Sequence, residues 1–545
     1  MTAYKVAKGC LLLMLAVPAC AASSEDATAP RPDARGAEPA SQDARDAASE
    51  TASPSRDVES ARDTSPDRAP LDLAADVQPT PQPGTLVSYL GDPAYPDDFW
   101  TAADPAASDV NLAALKRAVE TIASSKLEIH SFLVARHGRI VFEQYGWSSG
   151  SNPDDPNRTP HQVVPTERYP LNSTTKSFVA TLVGIAIGEG LLPGVHDLVV
   201  PHFPEYQPLP APSPDKDAIT LEDLLTMRSG LQYTTADDEI VCGAPDPAQA
   251  MLSRPVVDTP VGTVWNYSSG GSDVIAALIR KVAGETPLAY ADRKLFGPLG
   301  LDNVVWQASA NGTNHGGWGI ELASREMARF GELYRNRGLW NGRQIVPADW
   351  TDVATSAKCT TPWNGQYGYH FWIPNLPGFF GTRGAYGRNI YVSRELGLVV
   401  VLASDLPTGS ADVVLDGLMR TFVIPAVTGG EPDGGTGGVA TVDFEVTDID
   451  AAYEGKPVVL GLFAGAADCA SVAASEPAYA GSGTVRAGTS EISIPLVPDG
   501  VYTACAFIDA DEDSVPSHGD LVGQFSFAVS GDTEETWSAI GWMAI

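Results

Sequence analysis

Apolar positions recur at two spacings along this chain, and the switches between them mark out its elements. From Asn111 to about Ser124 they fall at helical intervals and predict a helix. Ser131–Arg136 and Ile140–Tyr145 alternate apolar and polar residues around His137-Gly138-Arg139, which predicts a hairpin with His137 in its turn. Val179 to Ile187 is apolar with only small interruptions and is stopped by Gly188-Glu189-Gly190, so it predicts a helix buried on nearly every side. The stretch 218–231 carries Thr220 as N-cap, Asp223 three residues on and Gly230 as stop, the signature of an amphipathic helix. Further helices are predicted at 273–282 and 324–335, and strands at 389–392 and 398–404 joined by a turn at 394–397. The mixture reads as α+β, an antiparallel sheet flanked by helices. Beyond a glycine-rich run, short alternating segments at 458–463, 492–496, 501–508 and 521–529 predict a small C-terminal β-sandwich.

Composition divides the chain further. Lys5 and Lys8 precede the apolar run Cys10–Val17, an export signal too short to span a bilayer. Val17-Pro18-Ala19-Cys20 reads as a lipobox with Cys20 as the lipidated residue, whereas Ala19-Cys20-Ala21 fits an ordinary cleavage site. The chain is thus expected to be exported, either as a lipoprotein of the cell envelope or as a periplasmic or secreted protein. Residues 21–84 hold almost no large apolar side chain and read as a disordered tether. The expected organisation is signal 1–20, tether 21–84, a folded central segment 85–427, a linker 428–440 and the sandwich 441–545. A formal net charge of −33 over 545 residues argues against nucleic acid and against an anionic membrane surface as partners. Contact with a membrane is expected only through the lipid anchor, and the sequence gives no oligomeric state. Among six cysteines, Cys469 and Cys505 are the expected disulfide, and a Cys242–Cys359 pair is left open.

The candidate chemistry begins at Leu171-Asn172-Ser173-Thr174-Thr175-Lys176. At a helix start, Ser173 and Lys176 share one face, and the positive end of the helix dipole favours negative charge developing near Ser173. Burial and dipole both favour a neutral Lys176, which can take the serine proton. The bland alternative is an N-cap serine with a solvated lysine. S-x-x-K occurs again at Ser213–Lys216, in a proline-rich run read as a loop. Tyr267 could be a packed aromatic, and Ser268 or Ser269 the cap of the next helix. The eight histidines are scattered without zinc-site spacing, and His315 beside Gly316-Gly317 reads as a loop residue. Asp509, Asp511, Asp513 and Asp520 occupy positions 1, 3, 5 and 12 of a calcium-loop pattern, with Ser514 where glycine is expected. A structural calcium and a solvated acidic turn are the two readings of that segment.

Taken in order, 171–188, 219–231, 267–284, 317–338 and 384–403 resemble the serine β-lactamase and penicillin-binding-protein superfamily. The nearest pattern is the class C-like branch of 6-aminohexanoate-dimer hydrolase and related esterases. The resemblance implies a β-lactamase-like fold with a helical subdomain over most of 85–427. It implies Ser173 as nucleophile, Lys176 as base and Tyr267 as the tyrosine that shares proton transfer. Ser269 stands where the second motif has asparagine, and Thr382-Arg383-Gly384 aligns with the third motif without its leading cation, which Arg383 or Arg388 stands near enough to supply. These residues would bind substrate, and the backbone N–H groups of Ser173 and Ala385 would form the oxyanion hole. The implied activity is hydrolysis of an amide or ester in a small-molecule or peptide-like substrate through an acyl-enzyme, with no cofactor for catalysis. The alternative is a penicillin-binding or sensor-type protein with little turnover.

Overall fold

The computed structural model describes residues 86–429, apart from 91, 93, 95–99, 101, 151–158, 235–236, 362–364 and 407, and beyond them the strands between 439 and 544. The signal, Cys20, the tether, linker residues 430–438, Cys469 and the acidic segment with Asp509, Asp511, Asp513 and Asp520 lie outside the described residues.

An eight-stranded antiparallel sheet organises the central segment. Strands β1 (Ile129–Arg136) and β2 (Arg139–Tyr145) form the expected hairpin. His137 and Gly138 turn it with φ of 49° and 78°, the left-handed pair that matches strand twist. The chain then leaves the sheet and returns as β3 (Cys359–Thr360), β4 (Gln366–Tyr367), β5 (Trp372–Ile373), β6 (Phe380–Thr382), β7 (Arg388–Ser393) and β8 (Leu398–Ser404). The order β3-β4-β5-β6-β7-β8-β1-β2 places the last strand beside the first, with Val400 opposite Val134.

Alternation along β1 and β8 separates two cores. Leu133, Ala135, Val399 and Val401 face a core built with α2 (Thr175–Gly188), α4 (Ser269–Ala283) and α5 (Ser324–Arg335). Phe132, Val134, Val400 and Leu402 face the other, completed by α1 (Leu112–Ser124) and residues 411–427. Both faces are covered, which is why β8 reads Leu-Val-Val-Val-Leu-Ala-Ser instead of alternating with polar residues. Helix α2 is buried at every position from Thr175 to Ala186, as an all-round apolar helix must be. Among the described residues no helix is long and apolar enough to cross a membrane.

Two expectations are corrected. The helix at Thr220, α3, has its capping box with Asp223 but spans only Leu221–Leu225. Met227 then turns left-handed at φ 60° and packs against Trp265 and Tyr267, so the chain leaves the helix well before Gly230. The segment at Ser213 is a short helix, Pro214–Asp217, because proline is tolerated at the first helical position. Its serine is a cap that accepts the Lys216 N–H at 3.1 Å, and Lys216 Nζ donates to the Pro210 carbonyl at 2.6 Å, so serine and lysine do not meet.

Beyond residue 439 the strands form a three-stranded sheet (Ser490–Pro498, Val439–Val446, Thr536–Ser538) and a five-stranded sheet (Tyr479–Thr484, Pro457–Ala464, Gly500–Ile508, Leu521–Val529, Trp542–Ala544). Val458, Leu460 and Leu462 are buried at alternate positions, as are Ile492 and Ile494. Cys505 is disulfide-bonded, whereas Cys359 is a free thiol, so the open Cys242–Cys359 pairing is not made.

Candidate active site

Ser173 sits in a 3₁₀ turn, Asn172–Thr174, that runs directly into α2. Asn172 enters the turn at φ 49°, a conformation that asparagine tolerates better than most residues. Lys176 is one helical turn on and only 1% exposed. Its Nζ donates to Ser173 Oγ at 3.1 Å, to Ser269 Oγ at 3.3 Å and to the Gly317 carbonyl at 3.0 Å. The three acceptors are chemically unequal. A carbonyl only accepts, whereas a hydroxyl donates as well, so a neutral Lys176 keeps its bonds to Gly317 and Ser269 while accepting the Ser173 proton. The solvated-lysine reading of the motif is therefore set aside by burial.

Each partner is delivered by a different element. Ser268 caps α4, accepting the Gly271 N–H at 3.0 Å, which frees the next serine, Ser269, to face the lysine. Gly317 lies so close to that first helical turn that a Cβ on it would stand 2.8 Å from the Ser269 Cβ. The lysine amine lies 4.7 Å from the centroid of the Tyr267 ring, and that ring belongs to an aromatic wall with Trp265 and Trp372. His315 is a packed residue, stacked on Trp318 at 4.3 Å.

The third-motif segment runs along the other side. A Cβ on Gly384 would stand 2.2 Å from the Leu171 carbonyl, so glycine is what lets the end of β6 pass against the Asn172–Thr174 turn. Asn172 Nδ2 donates to the Ala385 carbonyl at 3.3 Å and ties the two segments together. Thr382 is 3% exposed, and its hydroxyl lies 3.0 Å from that of Thr174, which donates onward to the Arg388 carbonyl at 2.7 Å. Arg383 pairs with Asp416 at 2.6 Å and with Asp412 at 3.5 Å. Arg388 is fully buried and pairs with Asp405. Both guanidinium groups considered for the third motif's cation thus carry carboxylate partners.

Three contributors lack a sequence signal. The Gly317 carbonyl has no side chain to betray it. Asp238 accepts a hydrogen bond from the Tyr233 hydroxyl, contacts Ser269 and lies within electrostatic reach of Lys176; burial pushes its carboxyl above the usual range. His370 bonds Ser272 Oγ at 3.0 Å, and burial together with the nearby Lys176 pushes it down to about 3, so it stays neutral behind Lys176.

Residues 120–420, more than half of the chain, match the Beta-lactamase family. The chain belongs to the β-lactamase family. This β-lactamase-family chain is 23% identical over 307 residues to the 6-aminohexanoate-dimer hydrolase of Paenarthrobacter ureafaciens, covering 51% of this chain and 72% of that one. Among solved structures it is similar to a penicillin-binding-protein homologue from Caulobacter crescentus, at 18% identity and a TM-score of 0.46 over 55% of this chain and 92% of that one. It is also similar to the octameric penicillin-binding-protein homologue from Pyrococcus abyssi, at 16% identity and a TM-score of 0.48 over 76% and 97%.

Proposed function

We propose that this chain is a serine hydrolase that cleaves an ester or amide through an acyl-enzyme on Ser173. The observation that carries the reading is the buried Lys176 amine 3.1 Å from the Ser173 hydroxyl, at the N-terminal end of α2. Lys176 takes the Ser173 proton as Oγ attacks the carbonyl carbon. The proton passes by way of Lys176 and Tyr267 to the leaving oxygen or nitrogen, and water then releases the acyl group by the reverse path. The Ser173 and Ala385 N–H groups are the oxyanion donors in this reading, each worth about 3 kcal/mol in the transition state. No cofactor enters any of these steps.

The paired arginines narrow the substrate. A carboxylate on the substrate would need a cation near Thr382-Arg383-Gly384, but Asp412 and Asp416 already neutralise Arg383, and Asp405 holds Arg388 in the core. The Asp238 carboxyl and the aromatic wall of Trp265, Tyr267 and Trp372 lie near Lys176, which favours neutral acyl esters and amides as the substrate class. p-Nitrophenyl butyrate is expected to exceed mono-p-nitrophenyl glutarate by about tenfold or more in kcat/KM, a discrimination of roughly 1.4 kcal/mol. Equal rates would refute the neutral-substrate reading. An initial burst without steady turnover would favour the penicillin-binding or sensor-type alternative, and hydrolysis of neither ester would refute the hydrolase.

Export with a lipid anchor at Cys20 suits an enzyme that meets small substrates outside the cytoplasm, and a disordered tether would give it reach. Residues 441–545 are read as an accessory sandwich formed from the two C-terminal sheets, with Asp509, Asp511, Asp513 and Asp520 as a calcium loop or an acidic turn.

A further inference from the structure

Away from the nucleophile, the sheet brings together three groups of metal-ligand type. Glu128 immediately precedes β1 and Asp405 immediately follows β8. Ile129 pairs with Ser404, and the Asp405 N–H donates to the Glu128 carbonyl at 3.0 Å, so the two carboxylates are cross-strand neighbours. The register then steps from Ile129 opposite Ser404 to Ser131 opposite Ala403, which makes His130 the extra residue of a β-bulge. Bulges re-aim side chains, and this one presents His130 to both acids. Nε2 lies 3.2 Å from Asp405 Oδ2 and 3.6 Å from Glu128 Oε1, and the ligand atoms all fall within 4.8 Å of one another.

Three features set this cluster apart from an ion pair. The contact to Asp405 is out of line for a hydrogen bond, which leaves both His130 ring nitrogens and Asp405 Oδ2 buried without a hydrogen-bond partner. An imidazolium–carboxylate hydrogen bond would close to about 2.7–2.9 Å. The observed separations of 3.2 and 3.6 Å are instead close to the edges of a coordination tetrahedron, since bonds of about 2.0–2.1 Å put neighbouring ligands roughly 3.3–3.4 Å apart. Each acid is also held from behind. Ser149 donates its N–H and hydroxyl to Glu128 at 2.7 and 2.9 Å, and Arg388 holds the other Asp405 oxygen, the kind of outer hydrogen bonding that orients metal ligands. Two carboxylates against one guanidinium leave a negative charge in a buried place, and a cation answers it.

We infer that Glu128, His130 and Asp405 form a binding site for a divalent metal ion of the zinc type, with one imidazole nitrogen, two carboxylate oxygens and a water at the remaining position. The Glu128 side, where the side chain is 22% exposed, gives the ion its path in. The ion fastens the start of β1 to the end of β8, beside the strand that carries Arg388. It stands apart from the acyl-transfer chemistry and does not depend on it.

The test uses the full chain, stripped with EDTA, exchanged into chelator-free buffer and titrated with Co²⁺, with visible absorption as the readout. Retained Zn²⁺ is measured by elemental analysis after gel filtration. One retained equivalent and a tetrahedral-type cobalt band are expected in the wild type, with both lost in His130→Gln. Glu128→Gln, at a partly exposed position that folding tolerates more easily, should lose them as well. No retained metal in the wild type would overturn the site and leave the charge to an imidazolium. Equal retention in both variants would place the ion elsewhere in the chain and overturn it equally.

Discussion

Ser173→Ala is expected to lower kcat for p-nitrophenyl butyrate by on the order of 10⁴-fold or more, with the protein still folded and thermally unchanged. Removing the nucleophile of such a unit deletes the covalent step, and what remains is binding and oxyanion stabilisation alone. Stability should hold because Lys176 keeps two of its three acceptors, Ser269 and Gly317, when the Ser173 hydroxyl goes. The kinetic loss is therefore not a folding loss, and circular dichroism with a thermal melt separates the two. A variant that retains more than about a tenth of wild-type turnover would mean that hydrolysis runs elsewhere.

The second large effect is on stability. Arg388→Met is expected to destabilise the central domain by about 3–5 kcal/mol, read as a lowered urea midpoint. Arg388 is fully buried over the Tyr169 ring at 5.1 Å, and its guanidinium is the partner of Asp405, whose side chain is 1% exposed. Despite its burial, the Arg388 guanidinium holds the Asp405 carboxyl well below the usual carboxylate range. Losing the guanidinium leaves that charge buried with a weaker partner. Arg388→Met combined with Asp405→Asn removes both charges and should recover part of the loss. A change under about 1 kcal/mol in the single variant would show that the pair is dispensable.

Much of the central domain was legible in the sequence because its signals are local. The hairpin turn at His137-Gly138, the helix from about Asn111 to Ser124, the helix 324–335 and the uninterrupted apolar β8 all follow from spacing and turn chemistry within a few residues. The meeting of Ser173 with Lys176 has the same origin, because helical geometry alone puts positions i and i+3 on one face. The rest depends on groups that arrive from far along the chain. Arg383 and Arg388 looked available as cations only while Asp405, Asp412 and Asp416, which reach them from β8 and the helix after it, were out of view. The third acceptor of Lys176 is a backbone carbonyl, and the Glu128–His130–Asp405 cluster joins two ends of the sheet, so neither leaves a motif. The helix at Thr220 ended early because packing of Met227 against Trp265 and Tyr267 overrode a well-capped start.

The most direct test of the central claim is intact-mass and peptide-level mass spectrometry of the chain after reaction with a fluorophosphonate. One covalent adduct per chain, located on Ser173, absent from Ser173→Ala and formed in step with loss of ester hydrolysis, is the predicted result. An adduct on another residue, or full hydrolytic activity with Ser173 unmodified, would contradict it.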